Sequence, residues 1–131
     1  MRSRILFLSG RPDDALRLSQ MLRELPVELE HAGSVEQAGQ RLRAKPYDVV
    51  FTEATLPDGN WLDVLHLTRE IPGEIEVILT DSQADPRLWS VALNLGAYDL
   101  VAQPFYEPEV RRILYNACCH SWHTFAVSAS V

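Results

Sequence analysis

Several short apolar runs occur in this sequence, and one of them ends in a carboxylate that could take part in chemistry. Glu53 follows the run VVFT. If the runs are parallel strands, Glu53 lies at the carboxyl edge of the sheet, where open α/β folds bind ligands. Carboxylate oxygens at such an edge are the ligands that hard cations prefer. The spacing therefore predicts a polar site around Glu53.

The runs themselves are rich in β-branched residues and almost uncharged, which is typical of strands buried on both faces. Each run is followed by a stretch with helical spacing, and strand and helix alternate five times over short connections. This alternation predicts an α/β fold, a doubly wound sheet of five parallel strands. The predicted strands are residues 5–9, 27–31, 48–52, 75–80 and 98–102.

Cap residues mark the starts of the predicted helices. Pro12 suits a first helical position, and Asn60 is a candidate N-cap. Ser34, with Gln37 three residues later, matches the capping-box pattern. The last two helices are predicted to open at Asp85-Pro86 and Glu107-Pro108.

The fourth predicted helix carries two sets of apolar residues. Leu88, Val91 and Leu95 have the spacing of a buried face. Trp89 and Leu93 lie four residues apart and off this stripe. They either form an exposed apolar patch or belong to a core that wraps further around the helix.

The composition limits the classes of function. A chain of 131 residues suits one domain, and its net charge of -6 argues against broad nucleic-acid binding. No apolar run approaches the length of a membrane span, and no secretory signal is evident. Two adjacent cysteines form no disulfide framework, which favours a cytoplasmic location. We expect one domain over residues 1–123, with 124–131 as a tail or the start of a linker.

Several motifs together resemble one known family. The stretch from Tyr47 to Leu67 contains Tyr-Asp, three apolar residues, an acid, and a loop with Pro and Gly. VILT, GAYDL at 96–100 and the Pro-Phe at 104 and 105 add to this pattern. Over roughly residues 4–120 the chain resembles the receiver domains of response regulators. The resemblance implies a flavodoxin-like (βα)5 fold with strand order 2-1-3-4-5.

The resemblance also implies where the family's chemistry would lie. Ser9 and Gly10 occupy the positions of the acidic pair that helps to bind Mg²⁺, and Glu53 occupies the position of the phosphorylated aspartate. Asp13 and Asp14 follow Pro12 and are expected in the first turn of a helix rather than as the displaced pair. We therefore expect no cofactor, with Mg²⁺ binding lost or weak.

The remaining conserved-site positions of that family are also altered here. Gln103 stands where the resemblance implies a lysine, and an amide supplies no charge. The chain has a single lysine, Lys45, predicted at the far end of the second helix. Thr80 matches the switch hydroxyl, but Leu100 replaces its aromatic partner. Arg11 is the candidate pocket cation, and we expect it either to pair with Glu53 or to be solvated.

These substitutions leave three hypotheses for function. The first is a phosphorylation-independent receiver-like module, a pseudo-receiver, that acts through protein–protein contact and is not an enzyme. The second is a conventional phosphoaccepting receiver of a two-component phosphorelay. The third is a small flavodoxin-like ligand binder or enzyme, for which the glycine at position 10 is weak support.

The resemblance implies a partner surface formed by the fourth helix, the fifth strand and the fifth helix. We expect a protein partner or a second copy of the chain there, with an output domain downstream in a longer protein. No direct nucleic-acid or membrane contact is expected. Aromatic and arginine side chains are typical of interface hot spots. The candidate residues are Trp89, Leu93, Tyr98, Arg111 and Arg112.

Three further features yield smaller predictions. Cys118-Cys119-His120 with His123 resembles a metal cluster, but adjacent helical residues point in different directions, so no metal is expected there.

Asp58 and Asp81 are expected to border the pocket, with weak cation binding or simple solvation as alternatives. The Gln103–Pro104 bond is predicted to be cis, as the resemblance implies.

Overall fold

The computed structural model describes residues 2–83 and 85–129, with side chains described up to His120. Five parallel strands form one sheet in the order β2-β1-β3-β6-β7. The order confirms the predicted 2-1-3-4-5 arrangement, since β6 and β7 are the fourth and fifth strands of this sheet. Its strands are β1 (Ser3–Leu8), β2 (Val27–Ala32), β3 (Val49–Glu53), β6 (Glu76–Asp81) and β7 (Asp99–Ala102).

Five helices connect the strands and cover both faces of the sheet. One face packs against α1 and α5 and includes Phe7 and Phe51, whose ring centroids are 5.3 Å apart. The other face packs against the remaining three helices. The helices are α1 (Pro12–Met21), α2 (Val35–Ala44), α3 (Trp61–Glu70), α4 (Pro86–Asn94) and α5 (Glu107–Ala129).

The predicted helix caps form, with one change of partner. The Asn60 side chain accepts from the backbone of Asp63, whose side chain accepts in return from the Asn60 N–H. Ser34 caps α2 by accepting from Gln37 N at 3.2 Å. The Gln37 side chain, however, accepts from Gly33 N at 2.8 Å rather than from the cap residue. The capping box of α2 is therefore shifted by one residue.

A two-stranded hairpin that the sequence analysis did not predict follows β3. Its strands are β4 (Thr55–Leu56) and β5 (Gly59–Asn60), and they are antiparallel. The hairpin includes the loop with Pro57 and Gly59 that belongs to the receiver-like motif. It fixes the path of the chain from the carboxyl end of β3 to the first residue of α3.

Helix α4 buries fewer of its apolar side chains against the sheet than the sequence predicted. Val91 and Leu95 were expected to be buried, but they are 48% and 41% exposed. Ala92 is buried, whereas Trp89 and Leu93 are 47% and 43% exposed. The prediction for Val91 and Leu95 was wrong because α4 lies over the edge of the sheet next to the short strand β7, which covers only a narrow stripe of the helix.

The single lysine lies toward the amino ends of the strands, away from Glu53. Lys45 Nζ is 2.8 Å from Glu30 Oε2, and the Tyr47 hydroxyl donates to Glu30 Oε1 at 3.1 Å. Arg4 and Arg41 also pair with this carboxylate, at 3.4 and 3.5 Å. Burial raises the pKa of Glu30, but the hydrogen bonds from Lys45 and Tyr47 and the nearby Arg4 outweigh it and lower the pKa below its ordinary 4.5.

The last helix starts where the sequence predicted, but where it ends was not predicted. It runs from Glu107 to Ala129 and so continues across the boundary expected after residue 123. Residues 130 and 131 of the expected tail lie outside the described part of the chain. Within the described residues, no helix combines the length and the apolar character needed to cross a membrane.

Candidate functional site

A cleft of about 640 Å³ opens at the carboxyl ends of β3 and β6, and we call it the Glu53 cleft. Its position at this edge of the sheet agrees with the predicted site. Four of the predicted pocket residues besides Glu53 line it, namely Arg11, Thr80, Asp81 and Gln103. The rest of the lining is Ala54, Thr55, Asn60, Trp61, Ser82, Gln83 and Leu88.

The Ser9 side chain forms a hydrogen bond with the Glu53 carboxylate. The Ser9 side chain is fully buried, and its Oγ donates to Glu53 Oε1 at 2.9 Å. The same Oγ accepts from Arg11 N at 3.0 Å, and His31 Nε2 donates to the Ser9 carbonyl at 2.8 Å. Ser9 is therefore fixed through its backbone and side chain. It stabilises one orientation of Glu53.

Arg11 lines the cleft but does not form the ion pair with Glu53 that was one of the two expectations. Among the described residues, no carboxylate lies within 4.0 Å of the Arg11 guanidinium. The physical reason is that Ser9 already satisfies Glu53 Oε1, while Arg11 is exposed, where a pair adds little. The alternative expectation, a solvated Arg11, agrees with the structure.

Gln103 and Thr80 contact each other across the cleft. Gln103 Nε2 donates to Thr80 Oγ1 at 3.1 Å, and Gln103 N donates to the Asp81 carbonyl at 3.3 Å. The Gln103–Pro104 bond is cis, which confirms the prediction. Leu100 is buried under α4. The Gln103 amide is therefore hydrogen-bonded to Thr80, the residue whose hydroxyl the resemblance assigned to a switch.

The acidic residues near the cleft have different surroundings. Asp13 and Asp14 lie in the first turn of α1, as expected, and neither lines the cleft. Asp58 does not border the cleft, contrary to the prediction. Its carboxylate accepts from Val35 N at 2.8 Å and Glu36 N at 3.1 Å, and these bonds lower the pKa of Asp58. It caps α2 from the new hairpin.

The donor set available to a cation is small. Asp81 lines the cleft as predicted, and Glu53 is the second carboxylate there. Gly10 contributes no side-chain ligand. Across the described residues, no group of three or more His, Cys, Asp or Glu side chains is placed to hold a metal. These residues do not fit the octahedral site that a receiver's Mg²⁺ requires.

Among the described residues of the cysteine cluster, Cys118, Cys119 and His120 have different surroundings. Cys118 is buried and burial raises the pKa of its thiol to about 12, whereas Cys119 is exposed. His120 Nδ1 instead contacts Glu76 Oε1 at 2.9 Å. The side chain of His123 lies outside the described residues. Cys118 therefore serves the core.

The residues of the expected partner surface divide into two groups. Trp89 and Leu93 are exposed on α4, and Arg112 is exposed on α5. Tyr98 is half-buried, with its ring 5.6 Å from that of His120. Tyr98, the residue before β7, therefore packs against His120 of α5 and is only partly exposed to solvent.

The assignment of Arg111 to that surface was wrong. Arg111 donates to the carbonyls of Met21 and Arg23, both at 2.9 Å. It is directed toward the end of α1, because the last carbonyls of a helix lack partners within the helix. The predicted surface therefore loses one arginine.

Two features of the site were missed from sequence. Trp61 forms a wall of the cleft although only 7% of it is exposed, and its backbone N–H donates to the Ala54 carbonyl at 3.0 Å. The bond between Ser9 and Glu53 was also missed. Asn60 gave a signal for Trp61, since a residue directly after an N-cap lies at the carboxyl edge of the sheet.

Comparisons with known proteins agree with this geometry. A family model described as response regulator receiver domain matches residues 11–115. The response regulator protein PilR of Pseudomonas aeruginosa is 24% identical over 116 residues, which are 88% of this chain and 26% of PilR. The chain thus spans about a quarter of that relative.

Two solved receiver structures are similar to the whole fold. The signal receiver domain of an HD domain-containing protein from Pseudomonas fluorescens Pf-5 has a TM-score of 0.83 and 27% identity, over 94% of this chain and 99% of that one. A signal receiver domain from Vibrio parahaemolyticus has a TM-score of 0.90 and 19% identity, over 97% and 98%.

Proposed function

Because this chain belongs to the response regulator receiver domain family, we propose that it signals through protein contact without being phosphorylated. The observation that carries this proposal is the hydrogen bond from buried Ser9 Oγ to Glu53 Oε1, 2.9 Å long. The side chains expected to position a phosphoryl donor instead position each other. The chain acts as a pseudo-receiver, not as an enzyme.

Glu53 is poorly placed to be a phosphoacceptor. Its carboxylate extends about 1.5 Å further from the backbone than that of an aspartate. A misplacement of about 1 Å costs on the order of 10²-fold in a positioned reaction. The bond from Ser9 also holds one oxygen in a hydrogen bond within the protein. Phosphoryl transfer to Glu53 is therefore disfavoured by reach and by orientation.

No lysine is available to stabilise a phosphoryl group. Gln103 supplies a neutral amide, and that amide donates to Thr80 Oγ1. The single lysine, Lys45, pairs with Glu30 toward the other end of the sheet. Arg11 is the cation in the lining of the Glu53 cleft. Charge stabilisation of a phosphoryl transition state is consequently weak.

Mg²⁺ binding is the most direct test of the altered cleft. Ser9→Asp, Gly10→Asp, Glu53→Asp and Gln103→Lys together restore the residue types that the family pattern implies. A Cβ at Gly10 would have its nearest neighbour, Pro57 Cγ, at 3.7 Å, so a side chain fits there. We expect the wild-type chain to bind Mg²⁺ at least tenfold more weakly than this variant in calorimetric titrations. Equal affinity in the two proteins would argue for a conventional receiver.

The output of such a module is contact with another protein, and α4 carries the best candidate surface. Trp89 and Leu93 are exposed there, at 47% and 43%, and Arg112 is exposed on α5. Exposed tryptophan and arginine side chains are residue types that are typical of binding hot spots. We propose that this surface binds a second copy of the chain or a protein partner, with apolar contact around Trp89 as the main contribution.

A further inference from the structure

Three charged groups that line the Glu53 cleft have no protein partner among the described residues, and one of them is a single carboxylate oxygen of Glu53. Among the described residues, the Arg11 guanidinium, the Asp81 carboxylate and Glu53 Oε2 take part in no hydrogen bond or ion pair. Arg11 and Glu53 line the same cleft of about 640 Å³, but their charged atoms are more than 4.0 Å apart. The gap leaves room for a ligand that contacts both.

The signs of these charges argue against the simplest ligands. Phosphate would be attracted by Arg11 but repelled by Glu53 and Asp81. A divalent cation would be attracted by the two carboxylates but repelled by Arg11, and the described residues hold no cluster of three metal-ligating side chains. A ligand that carries both signs of charge satisfies all three groups.

We propose that the Glu53 cleft binds a free amino acid. The ligand carboxylate pairs with Arg11, because a guanidinium matches a carboxylate in shape and charge. The ligand ammonium pairs with Glu53 Oε2, the oxygen that Ser9 leaves free. One guanidinium and two carboxylates leave the lining with one negative charge in excess. A second cationic group on the ligand balances Asp81, so basic amino acids are favoured.

The uncharged lining fits the aliphatic stem of such a ligand. Trp61 and Leu88 form an apolar wall, and Trp61 is fixed at the start of α3 by its backbone bond to the Ala54 carbonyl. Long basic side chains pack their methylene groups on apolar surface while the charge stays in a polar setting. Trp61 lies outside the proposed partner surface, whereas Leu88 lies on α4 next to Trp89.

Titration of the ¹⁵N-labelled chain, followed by amide chemical shifts, tests the proposal. The probes are L-arginine, L-lysine, glycine, L-glutamate, agmatine (which lacks the carboxylate), inorganic phosphate and Mg²⁺. We expect saturable shifts at cleft residues with L-arginine or L-lysine, and affinity for agmatine lower by roughly tenfold. Arg11→Gln and Glu53→Gln should each lower the affinity by roughly tenfold or more. The Gln at position 53 keeps an acceptor for Ser9.

Arg17→Gln is the matched control, since Arg17 is exposed on α1 and does not line the cleft. Its affinity should equal that of the wild type. If none of the amino acids causes saturable chemical-shift changes at about 10 mM, the proposal is overturned. Equal affinity for agmatine and L-arginine, unchanged affinity in the Arg11 and Glu53 variants, or saturable binding of phosphate or Mg²⁺ alone would also overturn it. Phosphoryl labelling of the chain tests the proposed function separately.

Discussion

Replacing Ser9 with alanine removes the hydrogen bond on which our account of the site depends. The Ser9 side chain is fully buried, and its Oγ lies 2.9 Å from Glu53 Oε1. A hydrogen bond to a charged group contributes about 1.5–3 kcal/mol. Glu53 is partly exposed and water can replace the donor, so we expect a loss of about 1–2 kcal/mol in the free energy of unfolding. The Arg11 N–H also loses its acceptor, and because that bond is partly buried its loss adds to the effect.

Urea denaturation and thermal unfolding measure this loss. For a chain of this length, 1 kcal/mol lowers Tm by roughly 3–5 °C. A double-mutant cycle with Glu53→Ala should give a coupling of about 1 kcal/mol between the two positions. Ser19→Ala is the control, because Ser19 is exposed on α1, and its effect should stay within about 0.5 kcal/mol. A Ser9→Ala loss as small as the control's, with no coupling to Glu53, would refute the reasoning.

Three further tests concern other contacts, and one of them includes a control variant. Trp89→Ala should weaken any self-association seen by sedimentation by ~1–3 kcal/mol while leaving the circular dichroism unchanged; unchanged association would exclude the α4 surface. Arg111→Ala should destabilise the fold by about 1–3 kcal/mol because the carbonyls of Met21, the last residue of α1, and of Arg23, in the following turn, lose a charged donor. Exposed Arg112→Ala, its neighbour and control, should change the unfolding free energy by less than about 0.5 kcal/mol. Because the pKa of Glu30 is lowered, ionised Glu30 stabilises the fold above pH 4.5, and this contribution is lost as the pH falls through the lowered pKa. The unfolding free energies of wild type and Glu30→Gln should therefore converge in acid, and a gap that is independent of pH would contradict this.

The fold could be predicted from the sequence because its signals are local and agree with one another. Apolar runs such as VVFT fix the buried strands, and Pro12 and Asn60 mark helix starts at the observed residues. The strand order came from the resemblance to receivers, since periodicity is the same for any order of parallel strands. The two hairpin strands after β3 gave no periodic signal, as each has two residues.

Helix α4 and α5 show what local patterns could not settle. The spacing of Val91 and Leu95 predicts a buried face, but a helix at the edge of a sheet has less surface to pack against. Arg111 and Arg112 are adjacent and chemically identical in sequence. Only the position of the end of α1 decides that Arg111 donates to two carbonyls while Arg112 is exposed. Contacts between distant elements determine such differences.

The site was predicted in its location but not in its bonds. The resemblance to receivers assigned Glu53, Thr80 and Gln103 to one site, and all three line the cleft. The choice of Ser9 over Arg11 as the partner of Glu53 depends on side-chain reach across 44 residues of sequence. No sequence pattern encodes that distance.

Phosphoryl transfer from acetyl phosphate tests the central claim most directly. Intact-mass spectrometry of the wild-type chain with acetyl phosphate and Mg²⁺, alongside an active receiver, reports whether one phosphoryl group is added. We predict no increase in mass for this chain under conditions that modify the active receiver. Stoichiometric addition of one phosphoryl group, labile to hydroxylamine, would contradict a receiver that works without phosphorylation.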